Sequence, residues 1–98
     1  MMEFLTTLEQ VIDARLAAGD DDNSYTASLA RAGMSRIAQK IGEEGVELAL
    51  AAATDRDQDE LLGEAADLFY HVLVMLRVKS LSVADVTKVL EARHAGAR

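Results

Sequence analysis

Two pairs of acidic residues stand at helical spacing in this chain, Glu44 with Glu47 and Glu64 with Asp67. Residues three apart lie above one another on one face of an α-helix. If the two helices pack against each other, four carboxylates converge, and four hard oxygen donors at one point describe a site for Mg2+, with Mn2+ as the other candidate. An isolated acidic pair is ordinarily a solvated face. Here the surroundings argue otherwise, because Glu44 falls in the helical stripe Ile37, Ile41, Leu48 and Glu64 falls in the stripe Leu61, Leu68, Met75. Both acids interrupt apolar seams. Burying carboxylates without a cation is costly, so a chain that gathers four either protonates them or binds metal. Glu43 points further outward and takes a supporting part in the catalytic set.

Arg36, Lys40 and Glu44 are spaced four apart, which puts two cations and a candidate ligand on one helix face. They form either an ordinary surface pair or a clamp for phosphate. Gly42 and Gly45 lie in the same helix, where each costs about 1 kcal/mol against alanine. The bare surface they leave admits either a substrate or a neighbouring helix. His71 follows Asp67 by four residues, but di-iron carboxylate bundles use Glu-x-x-His where this chain has Glu-x-x-Asp, so His71 is expected to be hydrogen-bonded and structural. His94 is expected in solvent, and Met34 and Met75 in the core. There is no glycine-rich phosphate loop and no Ser/His/Asp arrangement.

The elements that must position these groups are all helical. The chain has no proline, and its apolar residues recur at helical spacing. Phe4, Leu5, Leu8, Val11, Ile12 and Leu16 predict a first helix stopping near Gly19, followed by a polar loop over 20–23. A short helix over 25–32 ends at Gly33, a third runs over 35–54, and Asp55, Arg56 and Asp57 break the chain again. Asp57 with Glu60, and Ser82 with Asp85, have the pattern of capping boxes for a helix reaching Lys79 and a last one ending near His94. The expected fold is a small all-α bundle of four to five helices, one domain over 1–98. Residues 65–78 are apolar around the whole helix, and a lone chain would leave Leu68, Phe69, Val72, Leu73 and Leu76 half exposed. The bundle is therefore expected to be completed by dimerisation, as a homodimer.

Composition narrows the function. Among 98 residues there is no cysteine, which excludes disulfides and zinc–thiolate sites and suggests the cytoplasm. The first eight residues carry Glu3 and no basic segment, so no secretory leader is expected. The apolar run over 68–76 is far short of the roughly 20 residues that span a bilayer, so no membrane partner is expected. The net charge of −7 argues against nucleic acid. A phosphate substrate remains possible if metal supplies the positive charge.

Three stretches carry a resemblance to a known family: SYTASL at 24–29, RIAQKIGEEGVELALAA at 36–52, and EAADLFYHVLVML at 64–76. Together they resemble the phosphoribosyl-ATP pyrophosphohydrolases, the second enzymes of histidine biosynthesis, over nearly the whole chain. The acidic pairs alone would indicate only the wider all-α nucleoside triphosphate pyrophosphohydrolases. The resemblance implies hydrolysis of phosphoribosyl-ATP to phosphoribosyl-AMP and pyrophosphate, with magnesium and as a homodimer. It places metal ligands at Glu44, Glu47, Glu64 and Asp67; Ser24, Tyr25 and Thr26 of the SYT segment, with Arg36 and Lys40 of the clamp face, are the expected substrate contacts. No cyclohydrolase domain lies within the 98 residues, so a monofunctional enzyme is expected. The acidic stretch 20–22 reads as a solvated turn. Two competing functions are a house-cleaning pyrophosphohydrolase of noncanonical or deoxy nucleotides, which would share the metal site, and a non-enzymatic helical dimerisation module, which would need no metal.

Overall fold

The computed structural model describes residues 2–19 and 23–96. They form five helices, α1 Met2–Ala18, α2 Tyr25–Ala32, α3 Met34–Ala53, α4 Gln58–Val78 and α5 Val83–His94, with no strand among them. The all-α expectation holds. Of the polar loop over 20–23 only Asn23 is described; the acidic stretch 20–22 lies outside the described residues.

Each helix end has a local cause. Gly19 turns left-handed at φ 58° just past α1. Ser24 caps α2 by accepting a hydrogen bond from the Ala27 N–H at 3.1 Å. Gly33, at φ 97° and ψ 172°, sits where only glycine is unstrained, and this single residue separates α2 from α3. Asp57 caps α4 by accepting from the Glu60 N–H at 2.9 Å, while Ser82 and Asp85 close a reciprocal box at α5. The C-terminal ends of α3 and α4 both close with six-residue bonds, Arg56 N–H to Ala51 O at 3.2 Å and Leu81 N–H to Leu76 O at 2.7 Å. The left-handed residue in these closures is Asp55 or Ser80 instead of the usual glycine.

Ile12, Leu29, Ile37, Leu73 and Val74 make the buried core, with Met34 and Met75 packed against it as the sequence suggests. Ile37 meets the Leu73–Val74 end of α4, while Glu44 and Glu47 meet Glu64. Positions that rise along α3 fall along α4, so the two helices are antiparallel. This register brings Glu44 and Glu47 level with Glu64.

The last helix is held differently. It buries no residue of its own, and its first N–H, at Val83, donates to Oε2 of the buried Glu9 at 2.8 Å. Arg77 lies 3.8 Å from the same oxygen and forks onto Asp13, which ties α1, α4 and the start of α5 together.

The apolar surround of α4 is partly satisfied within one chain. Leu73 and Leu76 are buried at 4% and 8% exposure, so neither belongs to an outer seam as the periodicity suggests. Leu73 packs in the core with Ile12 of α1 and Ile37 of α3. Leu68 and Val72 are half-buried, and Phe69 stays 62% exposed. With Val86 and Leu90 of α5 they line an apolar groove of about 390 Å3. The radius of gyration is 15.0 Å, against roughly 12.6 Å for a compact domain of this length. No helix among the described residues is long and apolar enough to cross a membrane.

Candidate functional site

Carboxylate oxygens of Glu44, Glu47 and Glu64 all lie within 4.8 Å of one another. Glu44 is buried at 6% exposure, Glu64 is half-buried and Glu47 opens to solvent. Oε2 of Glu44 and Oε2 of Glu64 are shut off from solvent without a hydrogen-bond partner. An unpaired buried acceptor costs about 1–3 kcal/mol, more when it carries charge. Two of them in one acidic cluster, at the mouth of an exposed third carboxylate, fit a hard divalent cation whose charge would satisfy both.

Asp67 is not part of that group. It stands one turn further along α4, exposed, and lines a hollow of about 440 Å3 between α1 and α4 with Leu5, Leu8 and Tyr70. The reason is geometric: a step of three residues turns a helix by about 300°, so when Glu64 faces α3, Asp67 is swung toward α1.

Beside the acids, Lys40 Nζ lies 3.4 Å from Glu44 Oε1 and 3.7 Å from Glu43 Oε1. Burial pulls the ammonium's pKa down, but the Tyr25 oxygen, Glu44 and Glu43 outweigh it and hold the group above its ordinary value. Glu43 is directed away from the cluster. Gln39 Nε2 donates to it at 2.9 Å and, with Lys40 and Arg36 nearby, keeps its carboxyl below the usual range. Arg36 is exposed on the same face.

The three residues of the SYT segment do separate things. Ser24 caps α2, and Thr26 is buried with its hydroxyl bonded to the Tyr70 hydroxyl. Tyr25 keeps its ring half in solvent and bonds His71 Nε2 at 2.6 Å. His71 is buried, and its Nδ1 reaches the Asp67 carbonyl at 2.7 Å, so the structural role expected for it is borne out. Sequence patterns carry no sign of Tyr70, since an aromatic in an apolar run reads as core. The link between Tyr25 and His71 spans 46 residues and is equally silent in the sequence.

Gly42 and Gly45 do not receive a neighbouring helix. A side-chain carbon built at either position would meet nothing within 4 Å. Of the two explanations for these glycines, close packing within the chain is set aside, and the open surface next to Glu44 remains.

Residues 5–94 match the family model of phosphoribosyl-ATP pyrophosphohydrolase. The chain belongs to this family. Among its curated relatives are histidine biosynthesis bifunctional proteins HisIE, 55% identical over 91 residues in Photobacterium profundum and in Campylobacter jejuni, covering 93% of this chain and 43% of each relative. The corresponding protein of Vibrio parahaemolyticus is 55% identical over 93 residues, 95% of this chain and 43% of that one. The chain spans less than half the length of these relatives. As a member of the pyrophosphohydrolase family it carries its acidic cluster on α3 and α4, inside the matched region.

Proposed function

We propose that this protein hydrolyses phosphoribosyl-ATP to phosphoribosyl-AMP and pyrophosphate in histidine biosynthesis, in the cytoplasm, with Mg2+ or Mn2+ held by Glu44, Glu47, Glu64 and Asp67. The observation that carries the reading is the pair of orphaned buried oxygens in an acidic cluster on a chain of this family. Water adds across the anhydride that joins the α and β phosphorus atoms, so one P–O bond forms, the bridging bond breaks and pyrophosphate leaves. A divalent cation, when bound, would neutralise phosphate charge and supply Lewis-acid polarisation. Glu44, Glu47 and Glu64, whose oxygens already converge, would hold it, with Asp67 recruited as a fourth ligand from outside that group. Lys40 and Arg36 attract the polyphosphate along their face of α3, and Gly42 and Gly45 leave room for it. Positioning and electrostatics then account for most of the acceleration, as in phosphoryl transfer generally.

The working unit is a homodimer. Two quantities support this: the chain exposes 6589 Å2, whereas a compact protein of 10.6 kDa exposes roughly 5,500 Å2. The excess, on the order of 1,100 Å2, exceeds the roughly 800 Å2 that one partner gives to an ordinary interface. The apolar groove around Phe69, lined also by Val72, Val86 and Leu90, supports placing the interface on this face.

Pyrophosphate release from phosphoribosyl-ATP, dUTP, dCTP and ATP, each with and without magnesium, tests the assignment. The expected result is a preference for phosphoribosyl-ATP of about 100-fold in kcat/KM. Preference for a deoxynucleotide would make the protein a house-cleaning enzyme, and indifference to magnesium would leave only a dimerisation module.

A further inference from the structure

In the proposed hydrolysis the broken bond joins the α and β phosphorus atoms, and the α phosphate is esterified to the nucleoside. Whatever cradles the base must therefore begin within one phosphate ester of the acidic cluster. Hollows of about 440 Å3 against α1 and about 390 Å3 against α5 lie along α4, and ligand pockets run to about 300–1,000 Å3. The groove against α5 takes its α4 wall from Leu68 to Leu76 and runs on to Leu90, away from the cluster. The hydroxyl it contains, on Thr87, is spent on the Val83 carbonyl at 3.0 Å. The hollow against α1 has Asp67 at its rim. Asp67 follows Glu64 by three residues on one helix, which sets their Cβ atoms roughly 5–6 Å apart, the scale of a phosphate group.

The geometry points to the hollow between α1 and α4 as the seat of the substrate's purine base, with Asp67 where the nucleoside and phosphate ends meet, a placement that rests on the proposed hydrolysis. Leu5 and Leu8 of α1 offer an apolar wall for a planar base, and Tyr70 an aromatic one. The Tyr70 ring is set in advance. Its hydroxyl is bonded to that of Thr26, which is 2% exposed, and its edge meets His71 at a centroid distance of 6.0 Å. A wall already fixed costs no ordering when the ligand binds. Ala66, four residues before Tyr70 on the same helix face, contributes only a methyl and keeps the hollow open beside the ring. A carboxylate has two acceptor oxygens, so Asp67 can face the cation with one and accept from a ribose hydroxyl with the other. With so few polar groups the hollow selects by apolar area, and so favours a purine over the smaller pyrimidine.

The test compares two probes on the full chain with magnesium: α,β-methylene-ATP, which cannot be split at that bond, and inorganic tripolyphosphate, which has no nucleoside. In NMR spectra the base protons of α,β-methylene-ATP are expected to show Overhauser contacts to the Leu5 and Leu8 methyls and the Tyr70 ring. Tripolyphosphate is expected to leave those methyls unshifted. Ala66→Leu fills the hollow from an exposed helical position that leucine suits, so the fold is kept. Calorimetry is expected to show α,β-methylene-ATP weakened about tenfold or more in this variant, with tripolyphosphate within about twofold of wild type. Base contacts absent from Leu5 and Leu8, as when a second copy fills the hollow, would overturn the placement. Unchanged nucleotide affinity in Ala66→Leu, or equal losses for both probes, would do the same. If the wild type bound neither probe, the hydrolysis reading would fall and this placement with it. If it bound both and cleaved phosphoribosyl-ATP while the base contacts lay elsewhere, this placement alone would fall.

Discussion

Arg77 closes a fork on Asp13 across 64 residues of chain, with Nε donating to Oδ1 at 2.9 Å and Nη2 to Oδ2 at 2.7 Å. The same guanidinium donates to the Leu81 carbonyl and sits near the buried Glu9, whose carboxylate accepts from the first N–H of α5. One cation therefore organises three helices.

The fork predicts a pH dependence. The bond from Arg77 keeps the Asp13 carboxyl below its ordinary value of 3.8, and bonds from Ser82 do the same for Asp85. A depressed folded-state pKa contributes stability that is complete above the unfolded value and is lost as pH falls through the folded one. Melting temperature should therefore be level near neutrality and decline below about pH 4. Asp13→Asn should make that acid limb shallower. Because the Asp13 side chain is 44% exposed, the substitution should cost at most about 1 kcal/mol at pH 7. Arg77→Met should cost more, about 3 kcal/mol, since it strands the buried Glu9. Denaturant melts from pH 7 to 3 check both.

At the acidic cluster, Glu44→Gln and Glu64→Gln each remove one of several repelling charges with little change of shape. We expect each to lower activity by roughly two orders of magnitude or more and to abolish the rise in melting temperature with magnesium. The metal-free variants should melt at or above the wild-type temperature. Loss of structure in the metal-free variants would show these acids to be part of the fold. Asp67→Asn is the informative comparison, because Asp67 stands outside the group of three. An unchanged response to magnesium would remove it from the ligand set.

Assembly is tested on α4. Phe69 is 62% exposed and Leu73 is 4% exposed, so the two positions separate interface from core. Phe69→Glu should yield a folded monomer by light scattering at micromolar concentration. Leu73→Glu should instead unfold the chain, at a cost of about 3 kcal/mol or more. A Phe69→Glu protein that remained dimeric would move the interface elsewhere.

Glycine conformation gives a fourth expectation, in which opposite substitutions at two places both stabilise. Gly42 lies inside α3 with open space beside it, so Gly42→Ala should stabilise by about 1 kcal/mol. Ser80 closes α4 in the left-handed region at φ 62°, so Ser80→Gly should also stabilise, by about 1 kcal/mol. Thermal melts measure both. If Gly42→Ala also raises KM, the bare surface beside Glu44 is where substrate passes.

What the sequence determined by itself was local. Helical periodicity located the five helices, and the caps at Asp57 and Ser82 are short-range chemistry visible in four consecutive residues. The intrusion of Glu44 and Glu64 into apolar stripes marked the acidic site, because burial of a charge is legible from its neighbours on the helix. The tertiary structure decided what depends on rotation and distance between helices. It turned Asp67 toward α1 while Glu64 met Glu44, and buried Leu73 within one chain. It also joined Tyr25 to His71 and Arg77 to Asp13 over 46 and 64 residues. A three-residue step defines a helix face only to within about 60°, and no periodicity records which distant polar groups that face will meet.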